Sequence, residues 1–178
     1  MSDSVSMKQQ RALEAAQGYL TLELPDAALR ELRSFVTDAE TPVACWQLRA
    51  EAHRANGHWD DSLHCFERVL PHVERPVDVL MGMAWCFKRT GRLDKAIDAM
   101  RQAYQASPKQ AIVLYNLACY FSLAGEKAES LSWLGRALRL DRSLRKLIPH
   151  ETDFNPIRND LDFQYLVQLA ESKEQPSS

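Results

Sequence analysis

The sequence predicts an all-α chain built from a repeated helix pair. Three observations carry that expectation. Stretches of the chain align with one another at a constant step of 34 residues, without a gap. Within each stretch, apolar residues recur at i, i+3, i+4 and i+7, the spacing of one helical face. A glycine interrupts each stretch near its middle, at Gly57, Gly91 and Gly125. A period in the range of about 20–50 residues marks an array of small units, so the fold question comes before any motif search.

The units can be taken in order. The first, "RALEAAQGYLTLELPDAALRELRSFV", is the weakest match. Ala16 takes its small position, Tyr19 its aromatic one, Ala28 a second small one and Leu32 the large apolar one. Glu23 stands where the other units have glycine. Pro25 opens the second helix at its first turn, where its missing N–H costs nothing. The second unit is "CWQLRAEAHRANGHWDDSLHCFERVL", the third "VLMGMAWCFKRTGRLDKAIDAMRQAY" and the fourth "VLYNLACYFSLAGEKAESLSWLGRAL". Ala50, Ala84 and Ala118 align, and their size lets the two helices of a pair approach closely. His53, Phe87 and Phe121 share the aromatic position, so His53 reads as a packed core histidine. Phe66, Met100 and Leu134 share the large apolar one. Each glycine supplies the left-handed turn that ends a first helix.

This pattern resembles the tetratricopeptide repeat. The resemblance covers residues 9–142, with units at 9–42, 43–76, 77–110 and 111–142. Residues 1–8 and 173–178 are expected as frayed tails, and 143–172 as capping helices. Departures exist: Arg49 replaces a leucine, Ser62 and Ser130 replace a small alanine, and only the third unit has a closing proline, Pro108. The resemblance implies a right-handed α-α superhelix of antiparallel pairs, with the first helices lining a concave groove. It places Leu13, Gln17 and Leu20 on the groove in the first unit, and Gln47, Glu51 and Arg54 in the second. Met81, Trp85 and Lys88 follow in the third, and Tyr115, Cys119 and Ser122 in the fourth. Trp85 and Tyr115 are the expected anchors, with Arg54 and Lys88 selecting register or charge. Members that grip a partner's terminal carboxylate use lysine, arginine and asparagine at set groove positions. Here those places hold Leu13, Gln17, Leu48, Asp78 and Gly82, so that mode is not expected.

A stacked array exposes apolar surface at its ends and needs caps. After Leu140 the frame stops. A short helical turn is expected near 143–148, another capped by Thr152 or Asp153, and a helix over about 161–172 capped by Asn159 or Asp160. Phe154, Ile157, Phe163 and Leu166 are expected to cover the last unit. Arg158 is expected to pair with a carboxylate. The stretch "DFNPIRNDLDFQYL" looks like the closing tail of many bacterial repeat proteins of this family.

Composition narrows the function. The 178 residues carry 22 basic and 24 acidic side chains, a balance that offers nucleic acid or acidic membranes no general attraction. No run reaches the roughly 18 apolar residues that span a bilayer. The polar opening "MSDSVSMKQQ" does not read as a signal peptide, and a cytoplasmic location is expected. Cys45, Cys65, Cys86 and Cys119 fit no zinc spacing and read as reduced, packed thiols. No phosphate loop, nucleophile elbow or H-E-x-x-H is present, so neither catalysis nor a cofactor is expected. His58, Asp60, Asp61 and His64 cluster around one turn, and solvated turn residues are favoured there over metal ligands. The function expected is a scaffold or adaptor that binds a protein or peptide segment in the groove. A small dedicated chaperone for a secreted or assembly client is the alternative, and self-association is left open.

Overall fold

The computed structural model describes residues 2–35 and 41–172. Every regular element among them is helical. The chain divides into two compact bodies, residues 1–90 and 91–178. The expected tail at 173–178 lies outside the described residues.

The N-terminal body contains α1 (Ser2–Thr21), α2 (Pro25–Leu32), α3 (Val43–Ala55), α4 (Trp59–Val69) and α5 (Val77–Arg89). Residues 2–8, expected as a tail, instead form the first turns of α1. The turns between paired helices repeat in detail. His58 N–H donates to the His53 carbonyl and Gly57 N–H to that of Arg54. Leu24 and Glu23 make the same two bonds to Tyr19 and Leu20. These bonds close the helix C-terminus around one left-handed residue. That residue is Gly57 at φ 73° and, in the first pair, Glu23 at φ 57°.

Two clusters form the core of this body. Ala16, Ala28, Leu32, Cys45 and Ala52 join α1, α2 and α3. Trp46, Ala50, Leu63, Phe66, Val69, Val79, Met83 and Cys86 join α3, α4 and α5. Gly82 is small for a packing reason: a Cβ there would fall 2.5 Å from Phe66 Cζ. Ser62, in place of alanine, donates its hydroxyl to the Ala50 carbonyl at 2.8 Å, which satisfies it inside the pair.

The C-terminal body contains α6 (Leu93–Ala106), α7 (Ala111–Leu123), α8 (Lys127–Leu140) and α9 (Leu161–Ser172). Between α8 and α9 run two 3-10 stretches, Arg142–His150 and Thr152–Phe154. The α7–α8 pair repeats the chemistry of α3–α4. Gly125 has φ 76°, and Ser130 donates to the Ala118 carbonyl at 2.7 Å.

The cap is built largely from the residues expected. Phe154, Ile157 and Phe163 are buried, and Leu166 packs over Gly135. Asp160 caps α9, accepting from Asp162 N–H at 2.9 Å. Lys127 Nζ bridges Asp160 at 2.8 Å and Asp162 at 3.0 Å, tying the start of α9 to the start of α8. Two details differ. Glu151, one residue earlier than expected, caps the Thr152–Phe154 turn by accepting from Asp153 N–H. Arg158 donates to the carbonyls of Ile148 and Glu151 and to the Asn155 side chain. Irregular backbone leaves carbonyls that an arginine fork can satisfy.

Candidate partner-binding groove

Helices α1 and α3 line a cavity of about 750 Å³. Leu13, Gln17 and Leu20 come from α1; Gln47, Glu51 and Arg54 come from α3. The six frame-derived positions of the first two units therefore meet in one open site. Glu14, Thr21, Ala44, Leu48 and Ala55 complete it. Apart from Leu48, which stands at one of the places used for terminal-carboxylate capture, the groove trios do not include these residues, because a trio at i, i+4 and i+7 is narrower than the face a cavity draws on. Gln17 and Gln47 are exposed, whereas Leu13, Leu20 and Leu48 are half-buried. Arg54 and Glu51 pair side by side, with Nε to Oε2 at 2.8 Å. That contact neutralises both charges at one end of the groove.

On α5, Trp85 is 39% exposed, a large apolar ring left at the surface. Lys88 Nζ stands 4.6 Å from the centre of that ring, within cation–π range. Met81 is half-buried.

The fourth trio differs from expectation. Tyr115, Cys119 and Ser122 are 1%, 2% and 0% exposed, so they offer no open surface. The chain itself covers them. Phe154 meets the Tyr115 ring edge-on, with centroids 5.6 Å apart, and Phe163 packs behind it at 5.4 Å. Burial above all, then the charges of Cys119, Glu151 and Asp153, pushes the Tyr115 hydroxyl well above the usual tyrosine range. Tyr115 is therefore part of the packed cap rather than an anchor.

His53, read as a core residue, is only half-buried. Its ring lies 6.0 Å from that of His58, and ligand atoms of His53, His58 and Asp61 lie within 4.8 Å of one another. Burial, helped by the Arg49 charge, holds His53 below the ordinary histidine value, while Asp61 pulls the other way. No helix among the described residues is long and apolar enough to cross a membrane.

Residues 48–111 match the tetratricopeptide repeat family. No curated protein matches the sequence. Among solved structures, a double mutant of MamA RS-1 superposes with a TM-score of 0.74 at 17% identity, covering 94% of this chain and 97% of that one. MamA AMB-1 superposes with a TM-score of 0.70 at 15% identity, covering 99% and 96%. TTC0263, a thermophilic tetratricopeptide repeat protein of Thermus thermophilus, gives 0.61 at 17% identity, covering 92% and 99%. At such identities the likeness is one of fold: helix pairs of the tetratricopeptide solenoid class.

Proposed function

The chain carries tetratricopeptide repeats, and we propose that it is a protein-interaction module that takes a segment of a partner protein in the α1–α3 groove. The observation that supports this most is the groove's make-up. Leucines from two helices line one open cavity, with the amides of Gln17 and Gln47 among them. Apolar walls supply affinity, and a few polar groups set orientation. An amphipathic partner segment suits it, with two or three apolar side chains toward Leu13, Leu20 and Leu48 and polar groups toward the glutamines. Glu51 pairs with Arg54, which leaves Glu14 as the remaining charge of the lining, so the partner's buried face is expected to be apolar with at most a cation toward Glu14. Trp85, flanked by Met81 and topped by Lys88, is the proposed second anchor; exposed aromatics commonly dominate binding energy. Tyr115, Cys119 and Ser122 take no part in this reading.

The test is a crosslinking pull-down with wild type, Gln47→Arg, Trp85→Ala and a control on α6, Asp98→Ala. Gln47→Arg places a long cation in the cavity and should weaken capture of a specific partner at least about tenfold, or about 1.4 kcal/mol. Trp85→Ala should weaken the same partner, and Asp98→Ala should not. Equal retention by all four proteins would sink the groove reading.

A further inference from the structure

The covered face of α7 carries an unusual set of polar atoms. Tyr115, Cys119 and Ser122 follow one another at i, i+4 and i+7, so they share a face. All three are more than nine-tenths buried. The Tyr115 hydroxyl and Ser122 Oγ have no hydrogen-bond partner among the described residues. Buried polar atoms are nearly always paired, and an exception calls for an explanation, of which a bound water or ion is one.

The segment that covers this face brings two carboxylates with it. Cys119 Sγ and carboxylate oxygens of Glu151 and Asp153 lie within 4.8 Å of one another. Asp153 is itself only 8% exposed. Tyr115 lies one helical turn before Cys119 on this face, and its ring meets Phe154, the residue next to Asp153, with centroids 5.6 Å apart. Arg158 contributes one positive charge nearby, and it donates to carbonyl and amide oxygens.

We propose that Cys119, Glu151 and Asp153 form a divalent-metal site of the zinc class, with the Tyr115 hydroxyl as the fourth donor or as partner to a metal-bound water. The ligand chemistry selects the metal. Magnesium and calcium take oxygen alone, whereas zinc and cobalt accept a thiolate beside carboxylates in four-coordinate geometry. On binding, the Cys119 thiol loses its proton to solvent and the sulfur pair forms the metal bond. The ligands come from α7 and from the segment after α8, so the ion would fasten the cap to the helix it covers. Its role is structural, and it is independent of the α1–α3 groove.

The experiment uses the full chain, stripped with a chelator and titrated with Co²⁺, with absorbance read for thiolate-to-cobalt charge transfer. One equivalent is expected to produce that band, and Zn²⁺ to displace it and raise Tm. Cys119→Ser should abolish the band, and Cys45→Ser should keep it. Glu151 is only half-buried, so Glu151→Gln should leave the fold intact while weakening Co²⁺ affinity at least about tenfold. Circular dichroism reports whether each variant is folded. A folded wild type without a thiolate band would overturn the proposal. So would a band that survives Cys119→Ser, or a Glu151→Gln affinity equal to wild type. Cobalt bound without sulfur absorption would also overturn it and place the ion elsewhere, with His53, His58 and Asp61 as the next ligands to vary.

Discussion

The faces of α3 and α7 occupy equivalent positions in the repeat, yet they meet opposite fates. On α3, Gln47, Glu51 and Arg54 border an open cavity. On α7, one repeat register carries Tyr115, Cys119 and Ser122, and all three are buried. Backbone geometry is the same in both places: a left-handed glycine turn at φ 73° and at φ 76°, and a serine hydroxyl on a carbonyl twelve residues earlier. The difference comes from what the chain does next. After α8 it lays Phe154 and Phe163 over α7. Repeat register thus decides which side chains share a face, while later chain decides whether that face stays available.

The contrast between the two faces is most vulnerable at Phe154. This ring is fully buried against Tyr115 and Phe163. Phe154→Ala should cost about 3–5 kcal/mol, measured by urea unfolding. A loss below about 1 kcal/mol would mean that the cap does not hold the α7 face. Next in size come the turns. A left-handed conformation costs a non-glycine residue about 1–2 kcal/mol. Gly125→Ala should therefore destabilise by about 1 kcal/mol, and Glu23→Gly should stabilise by somewhat less, because glycine also loosens the unfolded chain. Opposite signs would support the equivalence of the two turns; two losses would deny it.

The smallest effect concerns pH. His53 is held below its ordinary value of 6.5, chiefly by burial. The unfolded chain then binds the proton more readily than the folded one. The contribution is full above about pH 6.5 and is lost as pH falls below that value. The urea midpoint of wild type should decline from about pH 8 to about pH 5, and His53→Gln should flatten that decline. An identical slope in the variant would remove His53 from the explanation.

Much of the architecture is legible in the sequence because it is periodic. The glycine step, the small residues at 50, 84 and 118, and the cap residues Phe154, Ile157 and Phe163 all follow from spacing and apolar pattern. The tight turn at Glu23 is legible as a substitution within a fixed frame. The covering of α7 is not, because the frame alone cannot say where chain beyond the last repeat will lie. A signal exists all the same: "AIVLYNLACYFSL" is apolar almost all round, and a helix without a polar face is covered on every side. His53 departs from its alignment for a related reason. Its equivalence to the buried Phe121 points to the core, whereas its imidazole, like the ring of Phe87, is half-buried, and it lies against His58.

The central claim is that the chain's own tail closes the α7 face while the α1–α3 face stays open. Thiol labelling under native conditions tests it in a single molecule. In a Gln47→Cys variant, peptide mass spectrometry would compare modification at position 47 with that at native Cys119. The account predicts rapid labelling at 47 and protection of Cys119 until the protein unfolds, with protection relaxed by Phe154→Ala. Labelling of Cys119 as fast as position 47 in the folded protein would contradict it.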